Sequence, residues 1–313
     1  MTPRSSSSST RTHRHPGRLP YLLLLPAFVL ELLVHVVPLV LGVWISLLRL
    51  TPRELRDWTS APFVGAANFR AWLDPGGPIG AELLASTGRT VLYTALVVGA
   101  SWALGMLAAL LLATPFRGRA FWQAFFLVPF ALPAFVTVLA WRFMLDRDAG
   151  MLNHLLVDDL GVVDSRPFWL IGDNAFWATV VVSVWRLWPL AYLVLAAALR
   201  TVPADLYAAA RVDGATAWQR FRYITLPMTR RPSTMVLLVM GLWSFTDFST
   251  PYLLFDAQPP PAATLLGSLV YRHAFVDFDF GLAAALNALV AIVLIVVGGL
   301  CAWRLLLRRA ADG

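Results

Sequence analysis

Lysine is missing from this chain: all 25 basic side chains are arginine. The absence excludes a phosphate loop of the usual kind, which needs a lysine on the nucleotide phosphates, and it excludes a lysine Schiff base. Cysteine is nearly missing too. Cys301 is the single thiol, so neither an internal disulfide nor a cysteine-based metal cluster is expected. The five histidines (His13, His15, His35, His154, His273) show no metal-binding spacing, so no metal and no cofactor is expected. Charge is scarce as well. Charged residues make up 14% of the chain, against roughly 25% in an ordinary soluble domain. That argues against a soluble enzyme, and no set of catalytic residues emerges. Gly99-Ala100-Ser101 is no nucleophile elbow, because it lies inside an apolar run without a strand.

What is abundant is apolar: 58% of the 313 residues are hydrophobic. A helix needs about 20 apolar residues to cross the ~30 Å hydrocarbon core. Six runs qualify as spans: 21–48, 90–113, 121–144, 175–199, 234–255 and 281–303. The expected fold class is therefore all-α, a polytopic membrane bundle of six transmembrane helices. Several runs contain proline (Pro26, Pro38, Pro129, Pro133, Pro189, Pro251), which a bundle tolerates when neighbours satisfy the freed backbone groups. The first run has 28 residues, about twice the apolar core of a cleavable signal, and no small-residue cleavage site follows. Residues 1–20 read as a disordered cytoplasmic tail, 21–305 as a six-helix transmembrane domain and 306–313 as a second cytoplasmic tail.

Arginine sets the orientation. With the N-terminus inside, the inner segments carry 15 arginines and three acids, and the outer segments carry eight arginines and thirteen acids. The positive-inside rule then puts both termini in the cytoplasm. The net charge of +7 is a topology signal and not a nucleic-acid signal.

The inner loop 200–232 joins the fourth and fifth spans. Pro203 suits the start of a helix, and Leu206, Ala209, Ala210 and Val212 form a short helical face. Asp213-Gly214 reads as a stop. A second short helix carries Trp218, Phe221, Arg222 and Ile224 and is expected to end at Leu226-Pro227. Such a pair either lies on lipid or docks a soluble partner.

The run Leu206 to Ala215 (LYAAARVDGA), followed by Trp218 to Pro227 (WQRFRYITLP), resembles the cytoplasmic coupling loop of ABC-importer permeases. Asp213, Gly214, Ala215, Phe221, Leu226 and Pro227 match the motif; Ala208 stands where the family usually has glutamate. Phe121 to Asn153 resembles the third-span signature of carbohydrate-importer permeases, through Pro129, Pro133, Trp141, Gly150 and Asn153. Trp185-Arg186, Phe245 to Phe248, Thr264, Tyr271 to Phe275 and Gly281 fit the same order. The likeness covers roughly 21–305 and is strongest to permeases of the maltose and glycerol-phosphate transporter type. Pro259-Pro260-Pro261 departs from the family's Gly-Gly-Pro turn.

The resemblance implies an inner-membrane permease that is itself no enzyme. Its implied partners are a second, non-identical permease, two ATPase subunits, an extracytoplasmic solute-binding protein and the lipid bilayer, with no nucleic acid. The motor would couple through Leu206, Tyr207, Ala208, Asp213, Gly214, Ala215, Arg220, Phe221, Leu226 and Pro227. The cargo would be a sugar; polyamine, iron or glycerol phosphate carried by the same machine stays open, and a stand-alone secondary transporter is a more distant rival.

Polar residues inside spans need a reason, since a charge at the bilayer centre costs about 2.5–3.5 kcal/mol on insertion scales. Glu31 and His35 are four apart on one helix face, as a local pair would be. Arg186 and Asp247 either pair between spans or line a solute path. Sugar recognition needs hydrogen-bonding groups and aromatic faces, and Trp141, Arg186, Trp188, Tyr192, Trp243, Thr246 and Asp247 supply those types. Ser101, Gly105 and Ala109 recur every fourth residue, as a close helix crossing requires.

Overall fold

The computed structural model describes the backbone of residues 19–311 and the side chains of 22–300 and Trp303. The expected N-terminal tail falls outside these residues except for its last two. Leu19 already opens helix α1, which covers 19–46 and includes a π turn at Leu32–Val36. The other helices are α2 (Ala67–Leu73), α3 (Pro78–Leu111), α4 (Arg119–Ala131), α5 (Ala134–Met144), α6 (Asn174–Leu199) and α7 (Ala204–Val212). There follow α8, which covers 217–228 with a π turn at Phe221–Thr225, then α9 (Arg230–Phe245), α10 (Ser249–Phe255), α11 (Leu266–Phe275) and α12 (Phe280–Ala311). No named strand occurs among the described residues; Leu48 and Phe63 form an isolated bridge.

Among the described residues, four helices are long and apolar enough to cross a membrane: α1, α3, α6 and α12. Two of the six expected spans are not single helices. The third is two helices, α4 and α5, bent by 91°. Leu132 takes extended backbone (φ −76°, ψ 140°) because the ring of Pro133 disfavours helix at the residue before it. The fifth divides into α9 and α10, with Thr246, Asp247 and Phe248 between them. α3 begins twelve residues ahead of the apolar run, at Pro78, and its 34 residues extend about 51 Å at 1.5 Å each. α12 stays helical to Ala311, through most of the expected C-terminal tail.

The centre of the bundle is the crossing of α3 and α6, its most extensive helix contact. Ser101, Gly105 and Ala109 are buried there, as their spacing predicts. A Cβ on Gly105 would lie 2.6 Å from both Ala191 Cβ and Tyr192 N, so only glycine permits this approach. Met106, Leu195, Val236 and Met240 extend the apolar core onto α9. At the opposite end, α2 and α11 seal α3 against α12. Trp72 is buried and its Nε1 donates to Leu282 O at 2.8 Å. Arg272 pairs with Glu82, and His273 lies 3.1 Å from Asp277 Oδ2. α1 contrasts with all of this. No residue of its best membrane window is buried, and its contact with α12 runs along Val37–Ser46.

Candidate functional site

The polar side chains of the spans meet at the break between α9 and α10. Tyr93 on α3 is fully buried and donates to Asp247 Oδ2 at 2.7 Å. That uses its only proton, so Ser183 on α6 donates to the Tyr93 oxygen at 2.6 Å. Asp247 Oδ1 accepts from Thr250 N at 3.1 Å, which satisfies one of the amides left free where α10 begins. Arg186 Nη1 donates to Thr250 Oγ1 at 2.8 Å. Arg186 and Asp247 thus belong to one thread, but the thread runs through Thr250. They form no direct ion pair among the described residues: Arg186 meets the Thr250 hydroxyl and Asp247 the Thr250 amide. Tyr93 was invisible in the sequence as a lone tyrosine in an apolar run. Its signal lay in the small-residue stripe, which continues backward by fours from Gly105 through Ser101 and Val97 to Tyr93, all buried.

Beside the break is a cavity of about 350 Å³, at the lower end of the roughly 300–1,000 Å³ usual for small-molecule sites. Phe245, Thr246, Phe248, Tyr271, Phe275 and Asn287 are among its lining residues. Phe248 and Tyr271 stack with centroids 4.9 Å apart, and Tyr271 meets Phe275 at 4.9 Å. The surface combines aromatic faces with a hydroxyl and an amide. Asn287 and the α11 aromatics were not singled out for this role in the sequence, because α11 lies outside every apolar run.

The other expected path residues are not gathered at this cavity. Thr246 borders it; Trp243, one turn earlier, is half exposed (51%). Trp188 and Tyr192 pack with Phe126, at centroid distances of 5.2 and 5.9 Å, inside the core of the bundle. Trp141 meets Trp185 at 6.1 Å, in the cluster that joins α5 to α10. There Arg142 makes a two-pronged pair with Asp256, at 3.0 and 2.8 Å. The guanidinium holds the Asp256 carboxyl below its ordinary range. Asp256 has a positive φ (61°) with ψ −150°, a region occupied essentially by glycine. On α1, Glu31 and His35 pair at 3.3 Å, with side chains about two-thirds exposed.

The inner loop is a compact double helix. α7 ends in the two hydrogen bonds of a glycine cap: Gly214 N to Arg211 O (3.1 Å) and Ala215 N to Ala210 O (2.9 Å). Gly214 supplies the left-handed residue such a cap requires, at φ 74°. α8 opens with a capping box in which Thr216 and Gln219 exchange hydrogen bonds. Arg220 Nη1 donates to Ala215 O at 2.9 Å, and the Tyr207 and Thr225 hydroxyls, 2.9 Å apart, tie the two arms together. Phe221 packs into the core of the bundle. Pro227 falls in the last turn of α8, which runs one residue further, to Met228, and α9 follows after Thr229. Leu206, Val212, Trp218, Tyr223 and Met228 stay exposed, an apolar and aromatic face with no cover. Ala208, Asp213 and Leu226 are exposed or half-buried beside it.

These features coincide with what the chain is similar to. Residues 101–310 match the family model described as binding-protein-dependent transport system inner membrane component. The inner membrane ABC transporter permease protein YcjO of Escherichia coli is 35% identical over 283 residues, covering 89% of this chain and 92% of that protein. The trehalose/maltose transport system permease protein MalF of Thermococcus litoralis is 30% identical over 280 residues, covering 89% and 90%. Among solved structures, a bacterial ABC transporter that imports the acidic polysaccharide alginate superposes with a TM-score of 0.70 at 19% identity, covering 91% of this chain and 94% of that one. Broken spans around a glycine-sealed crossing, a double-helical inner loop and this family match lead to one assignment: the chain belongs to the binding-protein-dependent transport system inner membrane components, the multi-pass permeases of ATP-binding-cassette importers.

Proposed function

We propose that this permease forms half of the path for a carbohydrate handed over by an extracytoplasmic binding protein, with energy from separate ATPase subunits. The observation that carries the reading is the near full-length match to sugar permeases, together with an uncovered apolar face on the 204–228 loop. The trehalose/maltose relative supports a sugar cargo, and so does the cavity of aromatic faces beside Thr246 and Asn287. The alginate transporter, solved with a pentasaccharide-bound periplasmic protein, supports delivery by a binding protein. Both termini lie in the cytoplasm, as the arginine distribution favours.

In this mechanism the motor seats against Leu206, Val212 and Trp218. Closure of the ATPase pair moves the loop as one body, because its two arms are tied by Tyr207–Thr225 and its end is anchored by Phe221. Movement reaches α9 directly, since α8 runs into it after a single residue. The break at 246–248 lets α9 tilt while α10 stays fixed to α5 by Arg142–Asp256. A second permease supplies the other half of the path. The chain itself is path and lever and performs no catalysis.

The test is reconstitution of the complete importer in proteoliposomes. ATP-dependent sugar uptake that requires the binding protein is the expected result. Uptake by this chain alone, driven by a proton or sodium gradient, would overturn the reading. A binding protein that takes polyamine or iron and no sugar would overturn the cargo alone.

A further inference from the structure

We propose that the loop-side end of the bundle holds a phosphate-binding site built by Arg119, Gln123, Tyr192 and Arg200. A cavity of about 100 Å³ lies where the end of α3, the start of α4 and the end of α6 converge. Two guanidiniums, one amide and one phenol line it together with Leu112 and Ala196, and no carboxylate does. The space equals about three water volumes of roughly 30 Å³ each, room for one tetrahedral anion and too little for a sugar ring. It is separate from the cavity at the α9–α10 break and shares no residue with it.

Two observations call for an anion here. The first is Arg119 Nε, which is enclosed and has no hydrogen-bond acceptor. An enclosed donor left unpaired costs about 1–3 kcal/mol, more when charged, so an acceptor in the cavity would recover that cost. The second is the sign of the surroundings. Arg200 follows the last residue of α6, where a cation is favoured by the helix dipole; Arg119 is the first residue of α4, where a cation is disfavoured. Neither arginine has an ion pair among the described residues. Two like charges converge on one small cavity, and no carboxylate among the described residues lines it.

The depth identifies the kind of anion. Phe121, Trp122 and Phe125 follow Arg119 within two turns, and all three are exposed. Their rings form a connected group, with Phe121–Phe125 stacked at 6.0 Å and Trp122–Phe125 edge-on at 5.7 Å. Exposed aromatics at one end of a span mark the headgroup level of the bilayer. A phosphate at Arg119 therefore lies at headgroup depth, with aromatic rings beside the acyl chains. A phosphate group of an anionic lipid and a free phosphate share this recognition chemistry, and the two sources can be separated. The proposed orientation decides only which leaflet supplies the lipid.

Lipid retention by the assembled transporter tests the site irrespective of cargo or orientation. Native mass spectrometry would compare the wild type, Arg119→Gln/Arg200→Gln, and Arg117→Gln, which removes an exposed charge outside the cavity. The wild type and Arg117→Gln retain phosphatidylglycerol over phosphatidylcholine, and the double variant loses that retention by about tenfold or more. Thermal unfolding of delipidated wild type is a second measurement that needs no variant. Stabilisation by phosphatidylglycerol and not by inorganic phosphate identifies a lipid headgroup; the converse identifies free phosphate. Wild type that responds to neither phosphate source overturns the site, as does equal lipid retention in all three proteins when inorganic phosphate gives no stabilisation.

Discussion

Tyr93→Phe isolates one oxygen at the heart of the permease. The substitution keeps the ring that packs between α3 and α6 and removes the donor to Asp247 Oδ2 and the acceptor for Ser183. A hydrogen bond to a charged group contributes about 1.5–3 kcal/mol in soluble proteins, whereas interhelical bonds within membranes average about 0.6 and reach about 1.7. Tyr93 is fully buried and its acceptor is a carboxylate, so the upper membrane value applies, about 1.5 kcal/mol. If Tyr93 aims Asp247 at the solute, that energy is about a tenfold rise in the solute concentration that half-saturates uptake. Maximal ATP hydrolysis stays unchanged, because the inner loop is untouched. The assay is sugar uptake by the reconstituted importer, with thermal unfolding of the same preparations. A double-mutant cycle with Asp247→Ala decides the cause: once the carboxylate is gone, Tyr93→Phe should add nothing. An unchanged half-saturation in Tyr93→Phe, or an equal penalty in the Asp247→Ala background, refutes the positioning role.

Three further outcomes are expected. Gly105→Val places a side chain where a bare Cβ already lies 2.6 Å from Ala191; overpacking costs about 1–3 kcal/mol, so the assembled complex should unfold at a lower temperature, and an unshifted midpoint would contradict the close crossing. Gly214→Pro cannot adopt the positive φ of the α7 cap, so solute-stimulated ATP hydrolysis should be lost while the subunit remains in the membrane; normal stimulation would rule out the coupling role of this loop. The depressed carboxyl of Asp256 stabilises the fold above its unfolded value and stops doing so as pH falls through the lower folded one, that is, below the ordinary 3.8. Both partners of the pair are more than a third exposed, so its contribution is small, and hydrogen exchange around 253–258 should be indifferent to pH between 7 and 5 apart from the intrinsic exchange rate.

The sequence made the unbroken helices legible because a long apolar run has one stable answer in lipid. α1, α6 and α12 follow from the runs 21–48, 175–199 and 281–303 with shifts of one or two residues at their ends, apart from the C-terminal end of α12, which continues to Ala311. The breaks were less legible. Pro133 could have been absorbed in a kinked span; it bends the chain by 91° instead, because Leu132 leaves the helix altogether. The division at 246–248 is marked by no proline within it. Pro251, in the first turn of α10, would set its ring against the Asp247 carbonyl in a continuous helix, and Asp247 takes over an amide of α10. The two helices of the inner loop and the Asp213-Gly214 stop between them were legible, since a glycine cap is local chemistry; the Thr216–Gln219 box was not singled out. The Tyr93–Asp247 contact spans 154 residues, and nothing local encodes it. Nor does anything local encode the contacts of Trp188 and Tyr192 with Phe126, 62 and 66 residues away in the chain.

The glycine seam between α3 and α6 has a practical consequence. Two helices in backbone contact at Gly105 and Ala191 have no room to slide past each other without lifting apart. Whatever motion carries cargo across must happen around this pair, and the pair supplies a fixed ruler inside a moving machine. Spin labels placed at exposed positions on α3 and α6 should keep one separation through the whole cycle. Labels reaching from either helix to α9 then report the true amplitude of the stroke, free of any drift in the frame of reference.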